Sequence, residues 1–389
     1  MKNPFIIYIG IFFFVIVTYQ LGWSSIYPGL SLDILMFFAF TFFLSFTLSL
    51  IFSRNIKNIK NYNPGRLPKW IFPLLLFLLI IDIAYTGVVP LWMVINRYEY
   101  SYLTFGIPTL HVAIITFSGA FATIRFADYL YSHKSRYLFE AIVPIVFDIL
   151  IVNRGAVLIT LVTFAFVLII KRGKLGLKRT SIALVIALTV LYGFGLLGNI
   201  RSGAGGIEEI GQPTPEFSDS EVPKSYFWTY IYLTSPLANF EKTLSDSTKI
   251  NGSAMEFVTS EMTPDFISKR IFSLANIDDR IPIIQISPSL NASGLFARSY
   301  AYLGWFGPIF MFSFFSLFII GYLLAIRKSA YSVPALALLN TLIVFSIFDN
   351  MIAFTGMSLQ LLWPLIINIR RKSARKLSNF NVEPCNTMT

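Results

Sequence analysis

The sequence predicts an all-α, polytopic membrane protein of about ten spans with one large outward loop. Three observations lead there. Of 389 residues, 55% are hydrophobic and only 13% charged, where a soluble domain carries roughly 25% charged residues. Apolar runs near the length of about 20 residues needed to cross a bilayer recur along the chain. Lysines and arginines collect on alternate connections between those runs, as they do where cytoplasmic loops retain positive charge.

The spans are expected at 4–22, 30–52, 70–90, 105–124, 137–152, 155–170, 181–198, 297–326, 332–350 and 356–370. The first is read as a span rather than a cleaved signal, because its apolar run is long and no small-residue cleavage site follows. The fifth and sixth are short and meet at Asn153-Arg154-Gly155, so they tilt, thin the bilayer locally, or form a tight hairpin that stops short of one surface. This divides the chain into an N-terminal bundle (1–198), a large loop (199–296), a C-terminal bundle (297–370) and a basic tail (371–389).

Charge parity orients the map. Basic residues cluster at Arg54, Lys57, Lys60, Arg66 and Lys69, then at Arg125, Lys134 and Arg136, then at Lys171, Arg172, Lys174, Lys178 and Arg179. Arg327 and Lys328 follow, and Arg370, Arg371, Lys372, Arg375 and Lys376 close the series. With Lys2 these are 21 of the 31 basic residues, all on one face of the map, so both termini are placed in the cytoplasm. The same distribution explains a net charge of +11 without nucleic acid, whose binders concentrate charge in a footprint.

The loop 199–296 has the opposite balance, with twelve acids from Glu208 to Asp279 against seven basic residues. Tyr226–Phe240 is aromatic and apolar, too short to span, and interrupted at Ser235-Pro236, so it reads as a re-entrant or interfacial helix. Residues 256–275 read as a second amphipathic helix, with a kink or restart at Thr263-Pro264-Asp265.

Ionisable residues within spans are costly and point to function. Asp33, Asp148 and Asp349 fall near outer helix ends, Asp82 in the outer half, and His111 about two turns below the outer surface, whereas Glu140 sits at a cytoplasmic start. This bias predicts an outward vestibule; a channel would place polar groups at all depths. Each group also has a structural explanation. Asp148 and Arg154 can pair across the hairpin, His111 can be a hydrogen-bonded core residue, and Asp33 after Ser31 can serve a helix start. The turn Arg201-Ser202-Gly203-Ala204-Gly205-Gly206 offers N–H groups and a guanidinium to a phosphate, or is a plain linker. The lone cysteine, Cys385, makes a thiolate metal site within one chain unavailable and no His-x-x-x-His occurs, so metal catalysis is disfavoured and no cofactor is expected, although acidic residues of the loop could bind Mg²⁺.

Several fragments carry a resemblance. Leu21-Gly22-Trp23-Ser24-Ser25-Ile26-Tyr27-Pro28, Gly106-Ile107-Pro108-Thr109-Leu110-His111 and Asn153-Arg154-Gly155 are the first. Gly198-Asn199-Ile200-Arg201, Ser235-Pro236-Leu237, Leu290-Asn291-Ala292-Ser293 and Tyr302-Leu303-Gly304-Trp305-Phe306-Gly307 follow. In their order and outward placement they resemble the Wzy-type O-antigen polymerases, over most of residues 20–325. The resemblance implies a glycosyltransferase of the bacterial inner membrane with a GT-C-like helical bundle and a periplasmic active site. Its substrates would be undecaprenyl-diphosphate-linked repeat units, joined on the periplasmic face, with a chain-length regulator as a possible partner and membrane lipids around it.

On that resemblance, arginines hold the lipid diphosphate: Arg154 and Arg201 first, then Arg298, with Arg270 and Arg280 behind them. His111 is the first candidate for general base, with Asp148, Glu261 or Asp265 as alternatives. Tyr230, Tyr300 and Trp305 are candidates for stacking on sugars, although an aromatic belt at the membrane surface gives the same pattern. An O-antigen ligase, a lipid-linked oligosaccharide flippase or other transporter, and a scaffold without chemistry remain as rival readings.

Overall fold

A computed structural model describes residues 2–57, 59, 62–98, 105–173, 176, 206–246, 252–275, 277 and 280–380, with scattered positions between 181 and 198. Every regular element among them is a helix. Four are long and apolar enough to cross a membrane: Leu32–Ile51, Leu110–Ser132, Arg154–Arg172 and Phe306–Ile326. Shorter apolar helices occupy Pro4–Tyr19, Ile71–Thr86, Ser332–Phe345 and Thr355–Ile367. The expected seventh span, 181–198, is described only at scattered positions.

The chain divides into two compact units, each gathered from separate stretches of sequence. The first comprises residues 1–53, 172–320 and 342–355; the second comprises 54–171, 321–341 and 356–389.

In the first unit, helices Pro4–Tyr19 and Leu32–Ile51 start where the sequence provides caps. The Asn3 side chain accepts from Phe5 N–H with Pro4 at the first position, and Ser31 Oγ accepts from Ile34 N–H at 3.4 Å with Asp33 in the first turn. Their packing buries polar partners as well as rings: Tyr8 OH donates to Thr41 Oγ1 at 3.1 Å, and Phe12 packs on Phe38. The segment after the first helix is tied by Ser24 and Ser25 to the chain around Gln212, and Tyr19 OH donates to the Pro28 carbonyl at 2.6 Å.

The expected break at Ser235-Pro236 is absent. Helix Tyr226–Ser245 runs through Pro236, and its buried face, including Phe227, Tyr230 and Ile231, joins Phe217, Leu290, Trp23 and Tyr27 in one core. Burial of those rings outweighs the cost of a proline inside a helix, which is about 3 kcal/mol. Buried Asn239 then pins the extended stretch that follows: its Nδ2 donates to the carbonyls of Leu290 and Ala292, and its Oδ1 accepts from Ile286 N–H. The restart at Thr263-Pro264-Asp265 is present, separating helices Ala254–Glu261 and Asp265–Ala275.

The expected single span 297–326 is two helices, Ala297–Leu303 and Phe306–Ile326. Gly304 ends the first with φ +58, a conformation open to glycine, and its N–H returns to the Tyr300 carbonyl. Gly307 sits so close to the Ser299 carbonyl that a Cβ there would overlap it. The helix expected over 332–350 stops at Phe345, which leaves Asp349 and Asn350 in a turn.

In the second unit, helices Leu110–Ser132 and Ser135–Leu150 form a hairpin whose corner, His133, adopts φ +57. The chain breaks at 151–153 between helices Ser135–Leu150 and Arg154–Arg172, and Asn153 Oδ1 caps the second by accepting from Ala156 N–H at 3.1 Å. Arg125, grouped from the sequence with Lys134 and Arg136 on a cytoplasmic connection, is buried and bridges Glu140 at 2.7 Å and Asp128 at 3.0 Å. Asp128 also accepts from Tyr62 OH and Gly65 N–H, while Arg136 pairs with Glu140 at 2.6 Å. The knot balances two guanidinium groups with two carboxylates, which is the condition under which ions persist in an interior.

Candidate functional site

Two polar loci stand out, one in each unit. In the first unit the locus is built around Arg298, in the short helix Ala297–Leu303. Its side chain is 16% exposed and lies 3.8 Å from both Glu261 and Asp349. That spacing gives Coulombic pairing without direct hydrogen bonds. Its Nε and Nη1 are buried and have no hydrogen-bond partner among the described residues, so donor capacity remains unspent.

The carboxylates around it differ. Glu261 is buried: Oε1 accepts from Ser260 Oγ at 2.8 Å and Oε2 from Asn350 Nδ2 at 3.1 Å. Asp349 is 41% exposed, with Oδ1 accepting from Ser293 Oγ and from Asn350 N–H, each at 2.8 Å. Asp265 is bonded to Arg280. Burial nevertheless raises the Asp265 carboxyl above its ordinary range, against the pull of Arg280 and Lys269 and with help from Asp349. The backbone fastens these groups together, since Asp265 N–H donates to Ala353 O and Phe266 N–H to Thr355 Oγ1. A diphosphate meeting this locus would find guanidinium donors held in place by acids that do not consume them.

The second unit holds a carboxylate–imidazole pair. His111 Nδ1 lies 2.5 Å from Asp82 Oδ2; His111 is 20% exposed and Asp82 fully buried. Asp82 Oδ1 accepts from Ile107 N–H at 2.9 Å, so both of its oxygens have partners. Gly106 makes this possible: its φ is +84, and a Cβ there would fall 2.6 Å from both Asp82 Oδ1 and His111 Nδ1. A carboxylate on Nδ1 holds the proton there and leaves Nε2 as the basic nitrogen. This arrangement is suited to taking a proton from a hydroxyl.

The remaining sequence candidates fall as follows. Asp148 and Arg154 do not pair; Asp148 is buried with Oδ1 lacking a hydrogen-bond partner among the described residues, and Arg154 is exposed. Both line one apolar groove. Arg270 is exposed on helix Asp265–Ala275, and Arg280 is spent on Asp265. Arg201 lies outside the described residues. The aromatic candidates are given to the core rather than to a free surface. Tyr230 packs between Trp23 and Tyr27, and Tyr300 against Trp305, which also meets Phe37 and Phe240.

Sequence reasoning noticed the depth of Asp82 but not its bond to His111, and took Asp349 for a helix end. The available signal was local: a glycine and a proline just before His111 announce a turn that can fold back on a neighbouring helix. No protein-family model, curated protein or solved structure matches the chain.

Proposed function

We propose that the chain is a glycosyltransferase of the repeat-unit polymerase type, acting on lipid-diphosphate-linked oligosaccharides at the periplasmic face of the bacterial inner membrane. Ten spans in a GT-C-like bundle and cytoplasmic termini belong to this reading. What carries it is Arg298, whose buried Nε and Nη1 have no hydrogen-bond acceptor among the described residues although two carboxylates lie 3.8 Å away.

The chemistry is a displacement at the anomeric carbon of the donor. The acceptor hydroxyl oxygen forms the new bond, the bond from carbon to the lipid diphosphate breaks, and the diphosphate leaves as an anion gripped by guanidinium donors. The hydroxyl proton goes to a base: exposed Asp349 is the candidate beside Arg298 in the first unit, and His111 Nε2 is the candidate within the second unit. No metal or cofactor enters this account.

The test is the glycan pattern of a deletion strain and of strains complemented with variants. Loss of the gene should leave core bearing a single repeat unit, because ligation is untouched. Arg298→Gln paired with Glu261→Gln, which leaves no uncompensated buried carboxylate, should insert normally and give the same single-repeat band. Wild-type ladders from that variant would remove Arg298 from the reaction, and loss of all repeat units in the deletion strain would favour a ligase or flippase instead.

A further inference from the structure

We propose that the groove at the turn between helices Ser135–Leu150 and Arg154–Arg172 is a binding site for a phospholipid whose headgroup carries both a phosphate and a primary ammonium. The proposal stands independently of the transferase reading.

The groove has a volume of about 310 Å³ and is walled by Leu91, Val152, Leu158 and Leu161, with Asp148 and Arg154 as its ionisable residues. Leu158, Leu161 and neighbouring Ile149 are about half exposed, and Arg154–Arg172 is one of the helices able to cross a bilayer. Acyl chains are the chemistry that covers such walls.

The polar groups define the headgroup. Asp148 is 2% exposed, and its Oδ1 has no hydrogen-bond partner among the described residues. A buried carboxylate without a partner costs several kcal/mol, and Arg154 across the turn does not pair with it. Arg154 opens a nineteen-residue helix, where N–H groups and the helix dipole favour an anion. A phosphate alone would suit Arg154 but leave Asp148 beside another anion. A cation alone would suit Asp148 and leave Arg154 idle. A phosphoethanolamine headgroup satisfies both: its phosphate meets Arg154 and the helix start, and its ammonium donates to Asp148. Three N–H donors on that ammonium distinguish it from choline, which has none.

The test uses the purified, delipidated full chain in detergent. It is offered phosphatidylethanolamine, phosphatidylglycerol and phosphatidylcholine of matched acyl chains in equal amounts, and retained lipid is counted by native mass spectrometry. Phosphatidylethanolamine should be retained about tenfold over either competitor. Asp148→Asn should bring it to parity with phosphatidylglycerol. Arg154→Gln should lower retention of all three phosphate lipids alike, and Leu158→Trp, which fills the groove, should do the same. Equal retention of the three lipids by the wild type overturns the proposal, as does a preference for phosphatidylglycerol or an ethanolamine preference that survives Asp148→Asn. The wild-type competition decides the matter even where a variant fails to insert.

Discussion

His111 and Asp82 meet at 2.5 Å, nitrogen to oxygen, although they belong to different helices and 29 positions separate them. The second Asp82 oxygen is held by the Ile107 amide, so the carboxylate cannot swing away from the ring. Asp82→Asn keeps the shape but no longer fixes the proton on Nδ1. In an in-vitro polymerisation assay the rate should fall by about 10²- to 10⁴-fold, as general-base contributions do, with melting temperature preserved. A wild-type rate in Asp82→Asn would make the pair structural.

Gly106 is the position on which that pair depends most directly. Ala there must adopt φ near +84 and place its Cβ 2.6 Å from both partners. Gly106→Ala should lower stability by about 1–3 kcal/mol and lose activity together with it. Thermal unfolding in detergent checks the first effect, and the polymerisation assay the second. Wild-type melting would show that the turn relaxes freely.

The knot at Arg125 predicts an asymmetry between its two arginines. Arg125→Met strands Asp128 and Glu140 in the interior, where breaking a buried pair costs about 3–5 kcal/mol. Arg136, 57% exposed, contributes an ion pair largely screened by solvent, so Arg136→Ala should cost less than Arg125→Met. Denaturant or thermal unfolding of the two variants side by side should give that order; equal losses would contradict it.

Asp265 predicts a pH dependence. Burial raises its carboxyl above 3.8 in the folded chain, so the folded state holds the proton more tightly than the unfolded state. As pH rises from near 3.8 through the raised value, the unfolded state releases its proton first and stability falls across that window. Asp265→Asn should flatten this limb of the stability–pH curve. A curve that instead rises with pH in the wild type and loses that rise in the variant would mean that the Arg280 pair dominates.

Much of this was legible in the residues. The caps at Asn3, Ser31 and Asn153 and the restart at Asp265 follow from side-chain chemistry acting within a few positions. The continuous helix across Pro236 was not legible, because its stability comes from Phe217, Trp23 and Tyr27, which the sequence places far away. Gly304 was visible as a residue, but only its φ of +58 and the closeness of Gly307 to Ser299 make it a break. Arg125 looked like every other basic residue at a helix end until Glu140 was found facing it.

By itself, the sequence determined that this chain is built from apolar helices and where charge interrupts them, since solvation of side chains is a local property that composition and spacing express. Only the tertiary structure decided which charges meet: Asp82 with His111, Arg298 between Glu261 and Asp349, and Asp148 with nothing but a groove. Those partnerships depend on distances of a few ångströms between helices, and a single chain written in order carries no measure of them.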